Sequence, residues 1–352
     1  ALDYFAKLTR SFAFEEVRPG MMGPALVRHE PVGVCAGIVP WNVPLFISIL
    51  KLAPALASGS TIVLKPAPET PLSANALAQM CIDAGVPDGV VNIVPAGRET
   101  GQHLVTHPDV DKVSFTGSTA AGRKIGAACG ELLRRCTLEL GGKSAAIICD
   151  DADLDAIMPE LIAASTMNNG QACVAQTRIL ATRSRYDEVV EALTEAVAAI
   201  PVGDPANMET GCGPLIAERQ RERVEGYIQA GRDEGARVTT GGGRPEGLDR
   251  GWFVEPTVFA DVDNSMRIAQ EEIFGPVLAV IAVDDADDAV RVANDSAYGL
   301  SGTVWTADAD AGLDIARKVR TGTYTVNGFA MEWGAPFGGY KNSGLGRELG
   351  PE

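Results

Sequence analysis

Val32-Gly33-Val34-Cys35-Ala36-Gly37-Ile38-Val39 is an unbroken apolar run, and Pro40-Trp41-Asn42-Val43-Pro44 follows it directly. A strand without polar alternation is buried on both faces, as in a parallel sheet. Working outward, strand and helix patterns alternate. Residues 46–57 read as an apolar helix closed by Gly59, with Pro54 near its end. Residues 61–64 read as a second buried strand, ending at Lys65. Thr70-Pro71 opens a helix with a capping residue and a first-turn proline, and Gly85 ends it. Strands are expected at 90–94 and 112–115, with helices running to about His107 and over 118–129. This alternation predicts a doubly wound α/β sheet. Upstream, residues 1–14 read as a helix, and 14–30 alternate loosely around Pro19-Gly20 like a hairpin.

A second series begins after Gly141-Gly142, where the domain boundary is placed. Strands are expected at 145–149, 178–181, 253–259, 277–283 and 302–306. Helices are expected at 153–167, 186–200, 217–236, 286–295 and 309–319. No internal repeat or low-complexity segment interrupts the pattern.

The 352 residues suffice for two domains with a buried core. Net charge is -16, from 30 basic and 46 acidic residues, which repels phosphate backbones and anionic membranes. Nucleic acid and membrane are therefore not expected as partners. Seven cysteines, an odd number without a framework, point to a reducing compartment and a cytoplasmic location. No cysteine spacing suggests zinc, and His29, His103 and His107 offer little else, so no metal is expected. No apolar run reaches membrane-spanning length. The N-terminus carries no signal-peptide pattern and no initiator Met, as in a processed or partial chain.

The chemistry centres on Met167-Asn168-Asn169-Gly170-Gln171-Ala172-Cys173. A helical pattern stops at Asn-Asn-Gly, and a thiol follows on the loop, where a small molecule can reach it. Alone, such a cysteine is as readily a small buried hydrophobe. Asn42, held between Pro40 and Pro44, is either an aimed oxyanion donor or a turn asparagine. Glu139 ends a strand before Gly-Gly and is either a general base or a solvated carboxylate. Lys65, at a strand end where doubly wound sheets bind ligands, is equally a solvated lysine. Residues 115–122 join strand to helix through Gly117 and Ser118, a turn that can approach a phosphate. It is neither Gly-x-Gly-x-x-Gly nor a P-loop.

Taken together, the motifs resemble the aldehyde dehydrogenase superfamily over nearly the whole chain. They are PWNVP (40–44), the Lys65-Pro66 strand end, FTGSTAAG (115–122), LELGGK (138–143), NNGQAC (168–173), EEIFGP (271–276) and PFGGYKNSGLGRE (336–348). Any one is weak, whereas seven in family order are specific. The resemblance implies a Rossmann-type NAD(P)-binding domain (1–13 and 32–141, with 343–352 returning to it). It also implies a hairpin oligomerisation arm (14–31) and a catalytic domain (142–342).

By the same resemblance, Cys173 attacks an aldehyde to give a thiohemiacetal, then a thioester. Asn42 and the Cys173 backbone N–H form the oxyanion hole, and Glu139 activates the hydrolytic water. Lys65 and Glu272 match ribose ligands, Gly117 and Ser118 the pyrophosphate turn, and Trp41 and Phe274 the cofactor cleft. Val43, Ile47, Leu50, Met331 and Phe337 match the substrate tunnel, and all are apolar. The cofactor implied is NAD or NADP, and the full-length form is implied to be a homodimer or homotetramer.

Three features depart from the pattern. Pro68 stands where many NAD-using members carry Glu, with Glu69 one place later. Members also normally have a segment before the position of Ala1 and a strand-forming tail after that of Glu352. Two further readings remain: a CoA-acylating enzyme, which usually lacks Glu at the Glu139 position, and a non-catalytic fragment that binds nucleotide.

Overall fold

The computed structural model describes residues 1–351. The chain divides into two compact units. The first comprises Ala1–Leu140, Met331–Gly338 and the stretch from Gly344 onward; the second comprises Gly141–Ala330 and Gly339–Ser343. The Met331–Gly338 stretch thus clusters with the first unit rather than with the sequence that precedes it. Phe337 exchanges both backbone bonds with Glu348, which ties that stretch to the C-terminal part of the first unit.

In the first unit, α1 (Leu2–Ser11) precedes a hairpin of β1 (Glu15–Arg18) and β2 (Ala25–Arg28), which pair antiparallel. Its two strands keep Val17 and Leu26, directly opposite each other, largely exposed. The loop spans 19–24 and contains Pro19-Gly20, around which the hairpin was expected.

The apolar run becomes β3 (Val34–Ile38), buried from Cys35 onward. Then come α2 (Pro44–Ala57), β4 (Thr61–Lys65), α3 (Pro71–Asp83), β5 (Val91–Ile93), α4 (Arg98–Thr106), β6 (Lys112–Thr116), α5 (Thr119–Glu131) and β7 (Arg135–Glu139). The sheet order is β17-β7-β6-β3-β4-β5, with β17 (Gly344–Leu345) the antiparallel edge. The chain moves from β3 to β4 and β5 on one side, then returns to β6 and β7 on the other. That reversal opens a crevice beyond the C-terminal ends of β3 and β6, where open α/β sheets bind ligands. Ala36, Val113, Phe115 and Leu138 pack within this unit's core. Thr70 occupies the N-cap position of α3, but its hydroxyl makes no capping bond.

In the second unit, β8 (Ser144–Ile148) and β9 (Gln176–Thr182) are both buried nearly throughout. Between them lies α6 (Leu154–Thr166), and after β9 come α7 (Tyr186–Ala198), α8 (Glu218–Asp233), β10 (Arg237–Thr240) and β11 (Thr257–Ala260). Next are the short α9 (Arg267–Gln270), β12 (Val277–Val283) and α10 (Ala286–Asn294). The last elements are β13 (Tyr298–Gly299), β14 (Gly302–Trp305), α11 (Ala309–Lys318), β15 (Thr325–Val326) and β16 (Tyr340–Lys341). The main sheet runs β10-β11-β12-β9-β8-β14-β15, parallel except at β10.

The strand expected at 253–259 starts only at Thr257. Pro256 precedes it and has no N–H to give the ladder. The half-buried β10 and one-turn α9 escaped the sequence reading, since neither carries an apolar run. No helix among the described residues is long and apolar enough to cross a membrane.

Candidate active site

The first unit gathers its motif residues at the C-terminal edge of its sheet. Ile38 of β3 lies opposite Lys65 of β4 and Phe115 of β6, and Trp41 and Asn42 follow as half-buried residues. Lys65 is buried and donates to the carbonyls of Pro66 (2.6 Å) and Ala96 (3.0 Å). Burial pulls its pKa down, and the charge of Glu69 partly offsets this. Pro68 is exposed, whereas Glu69 is half-buried and bears electrostatically on Lys65.

After β6, Gly117 donates its N–H to the Glu139 carbonyl (3.0 Å). Ser118 caps the 13-residue α5, accepting from the Ala121 N–H at 3.3 Å. The turn therefore presents a helix N-terminus at the crevice.

Glu139 closes β7 and is 4% exposed, with no hydrogen-bond partner for either carboxylate oxygen. Burial raises its pKa well above the usual carboxylate range. The negative charge of Glu348 adds to the rise, while Lys51 and Arg347 oppose it. A carboxyl held this way suits a general base better than a solvated one.

Two neighbours of this group escaped the sequence reading. The Lys51 ammonium pairs with the Glu348 carboxylate at 2.8 Å and also donates to Ser114 (3.1 Å) and Thr116 (2.8 Å). Both charged side chains are buried, an arrangement that persists only when fully paired. The available signal was a single charge in the otherwise apolar helix α2. A cavity of about 300 Å³ reaches this pair, with Phe5, Leu8 and Leu50 on its wall. Leu50 and Ile47 are buried and Val43 is exposed at the start of α2, while Phe337 is buried and Met331 half-buried. The Phe46 ring lies 5.8 Å from that of Trp333.

The second unit assembles its motif residues at the N-terminal edge of the adjacent strands β12, β9 and β8. Before β9, the helix α6 breaks into one tight turn, Met167–Gly170. Asn168 (φ 51°), Asn169 (φ 58°) and Gly170 (φ 70°) are all left-handed. Asparagine tolerates that region, and at Gly170 a Cβ would also strike the Gly275 carbonyl at 2.1 Å. The Asn169 side chain bonds Gly213 N–H (2.9 Å) and Pro214 O (3.2 Å), and Gln171 accepts from Ile216 N–H (3.1 Å). These bonds fix the loop on which half-buried Cys173 sits.

Gly142, before β8, approaches so closely that a Cβ there would lie 2.3 Å from the Cys173 carbonyl. Its N–H donates to the Glu272 carboxylate at 2.9 Å. Glu272 thus lies in a recess that a side chain at 141 would fill, and burial raises its pKa. Phe274, two residues on, is itself left-handed (φ 64°).

Cys35, Cys81, Cys129, Cys149 and Cys212 are poor nucleophiles. Burial pushes the thiols of Cys129, Cys149 and Cys212 up to about 11 and raises those of Cys35 and Cys81. Thiolate rather than thiol is the attacking form. Among the described residues, no group of three or more His, Cys, Asp or Glu could hold a metal.

Comparisons with known proteins show the family. The aldehyde dehydrogenase family model matches residues 1–352. Geranial dehydrogenase of Castellaniella defragrans is 55% identical over 100% of this chain and 73% of its own. The crystal structure of a Mycobacterium tuberculosis aldehyde dehydrogenase complexed with NAD+ superposes with a TM-score of 0.98 at 58% identity, covering 99% of this chain and 72% of that one. An aldehyde dehydrogenase C cysteine-to-alanine mutant from Pseudomonas syringae, complexed with NAD+ and octanal, gives a TM-score of 0.95 at 43% identity, covering 99% of this chain and 73% of that one. By family model, sequence identity and fold, the chain belongs to the aldehyde dehydrogenase family.

Proposed function

We propose that the protein oxidises an uncharged, apolar aldehyde to the carboxylic acid with NAD+ or NADP+, through a thioester on Cys173. The observation that carries this reading is that the chain holds two unlike groups: a half-buried thiol on a hydrogen-bonded loop, Cys173, and a buried carboxyl of raised pKa, Glu139. The thiolate adds to the carbonyl carbon and forms the C–S bond, and the Asn42 amide and Cys173 N–H stabilise the resulting oxyanion. The dinucleotide, when bound, accepts the hydride that leaves this carbon. Glu139 then takes a proton from water, which displaces the thiolate and releases the acid. A CoA-acylating enzyme has no need of that base.

The residues present fit a dinucleotide. The first unit offers Lys65 and the Ser118-capped helix terminus, and the second offers the Glu272 carboxylate in its glycine recess. The substrate class follows from Val43, Ile47, Leu50, Met331 and Phe337, none of which can pair a charge. Relatives named for geranial and crystallised with octanal support the same class.

Asn42→Ala is expected to lower kcat about 10²–10³-fold, the usual cost of losing one oxyanion donor, while the protein stays folded. Unchanged kcat with acyl transfer rate-limiting would remove Asn42 from the mechanism.

Cofactor choice is expected to be relaxed. A carboxylate at the ribose accepts its hydroxyls and repels a 2′-phosphate. Pro68 can do neither, and Glu69 stands one residue later beside Lys65, which attracts phosphate. The ratio of kcat/KM for NAD+ and NADP+ should stay below about a thousandfold, roughly 4 kcal/mol. A larger ratio would mean that Glu69 enforces NAD+ as strictly as the usual glutamate.

A further inference from the structure

We infer that one face of α8 is the template that holds the Glu272 loop in place, with Gln220 and Arg223 as positioning residues for cofactor binding. This rests on the reading of Glu272 as a ribose ligand. Gln220, Arg223, Val224 and Tyr227 stand at i, i+3, i+4 and i+7 and so share one helix face. Each meets the loop or its neighbours. Gln220 donates to the Phe274 carbonyl at 2.8 Å, and Arg223 donates to the carbonyls of Ile273 (3.1 Å) and Glu272. Tyr227 donates to the Glu271 carboxylate at 2.7 Å, and a Cβ on Gly275 would lie 2.4 Å from a Val224 methyl.

Three successive carbonyls, at 272, 273 and 274, are therefore held by two α8 side chains. Phe274 is a bulky residue at φ 64°, a conformation that persists only where surrounding contacts over-determine it. Those hydrogen bonds supply the determination. On its other side the loop offers the Glu272 carboxylate to the Gly142 N–H (2.9 Å), and the Gly275 carbonyl backs onto Gly170. One layer of backbone thus separates α8 from both the Glu272 carboxylate and the turn before Cys173. Arg223 is suited to this task because its planar fork spans two carbonyls, where a lysine serves one.

The test is a double-mutant cycle on the enzyme, reading KM for NAD+, KM for aldehyde and kcat, with a thermal melt to verify folding. Arg223→Ala is expected to raise KM for NAD+ about tenfold or more while KM for aldehyde stays put, as small misplacements of binding groups do. Arg223→Lys should lie between the two, and it keeps the test alive if the alanine variant fails to fold. In a Glu272→Ala background the same Arg223 change should add less than about twofold, because both act through one group. Equal effects in both backgrounds would show that Arg223 contacts the cofactor itself, which overturns the positioning role. No effect of Arg223 changes where Glu272→Ala does raise KM would overturn it too. If Glu272→Ala leaves KM and hydride transfer unchanged, the ribose assignment fails, and the inference falls with it.

Discussion

Cys173→Ala is expected to abolish aldehyde-dependent NAD(P)H formation, a loss on the order of 10⁴-fold or more, as when a covalent nucleophile is removed. Folding and cofactor binding should survive. The replaced side chain is half-buried on a loop held by hydrogen bonds of Asn169 and Gln171 and by the close approach of Gly170 to Gly275. The specificity of the prediction comes from the other cysteines. An aldehyde-derived electrophile should label the Cys173 peptide and spare Cys35 and Cys212, both buried with raised thiol pKa. Retained turnover in the alanine variant, or label on Cys35 or Cys212, would move the nucleophile elsewhere.

Glu139→Gln is expected to separate the two halves of the reaction. Hydride leaves before water enters, so the variant should still release about one equivalent of NAD(P)H and form the acyl-enzyme. Steady-state turnover should collapse and return partly when an external thiol accepts the acyl group. Loss of the first-turnover burst would place Glu139 earlier, in activating Cys173, and undamaged turnover would remove it from the mechanism.

The raised pKa of Glu139 gives the same variant a second signature. Wild-type hydrolysis should rise with pH through that value, because only the ionised carboxylate takes a proton from water. Stability runs in the opposite sense. A carboxyl whose folded pKa is raised binds its proton more tightly folded than unfolded, so the native state loses stability as pH climbs above the unfolded value of about 4.3. Glu139→Gln removes that cost. The variant should melt higher than wild type at neutral pH, with the difference vanishing near pH 4. Equal melting temperatures at both pH values would mean that the buried carboxyl is not strained by its surroundings.

The alternation of strand and helix was legible because β3, β4 and β8 are short, largely apolar runs and β9 carries Ile179-Leu180-Ala181 at its centre. Edges were less so. β10 has only four residues and no buried one, so its signal is carried by pairing with β11 rather than by its own pattern. The Cys173 motif stood out only in company, since one thiol after Asn-Asn-Gly is ambiguous and seven motifs in order are not. Lys51 was hidden inside a helix read as apolar, and its meaning depends on Glu348, which lies 297 positions away in sequence. The same is true of Gln220 and Arg223, which look like part of a solvated charged helix until the 271–276 loop is laid against them. Sequence spacing also gave no hint that the second unit gathers its residues at strand N-termini, whereas the first uses the C-terminal edge.

The most direct test of the central claim is rapid-quench mass spectrometry of the Glu139→Gln variant mixed with NAD+ and an apolar aldehyde. Stalled hydrolysis should leave a thioester, one acyl group per chain, on the peptide that carries Cys173, in step with one equivalent of NADH. NADH formed without an adduct, or an adduct on any other residue, would contradict a covalent mechanism through Cys173.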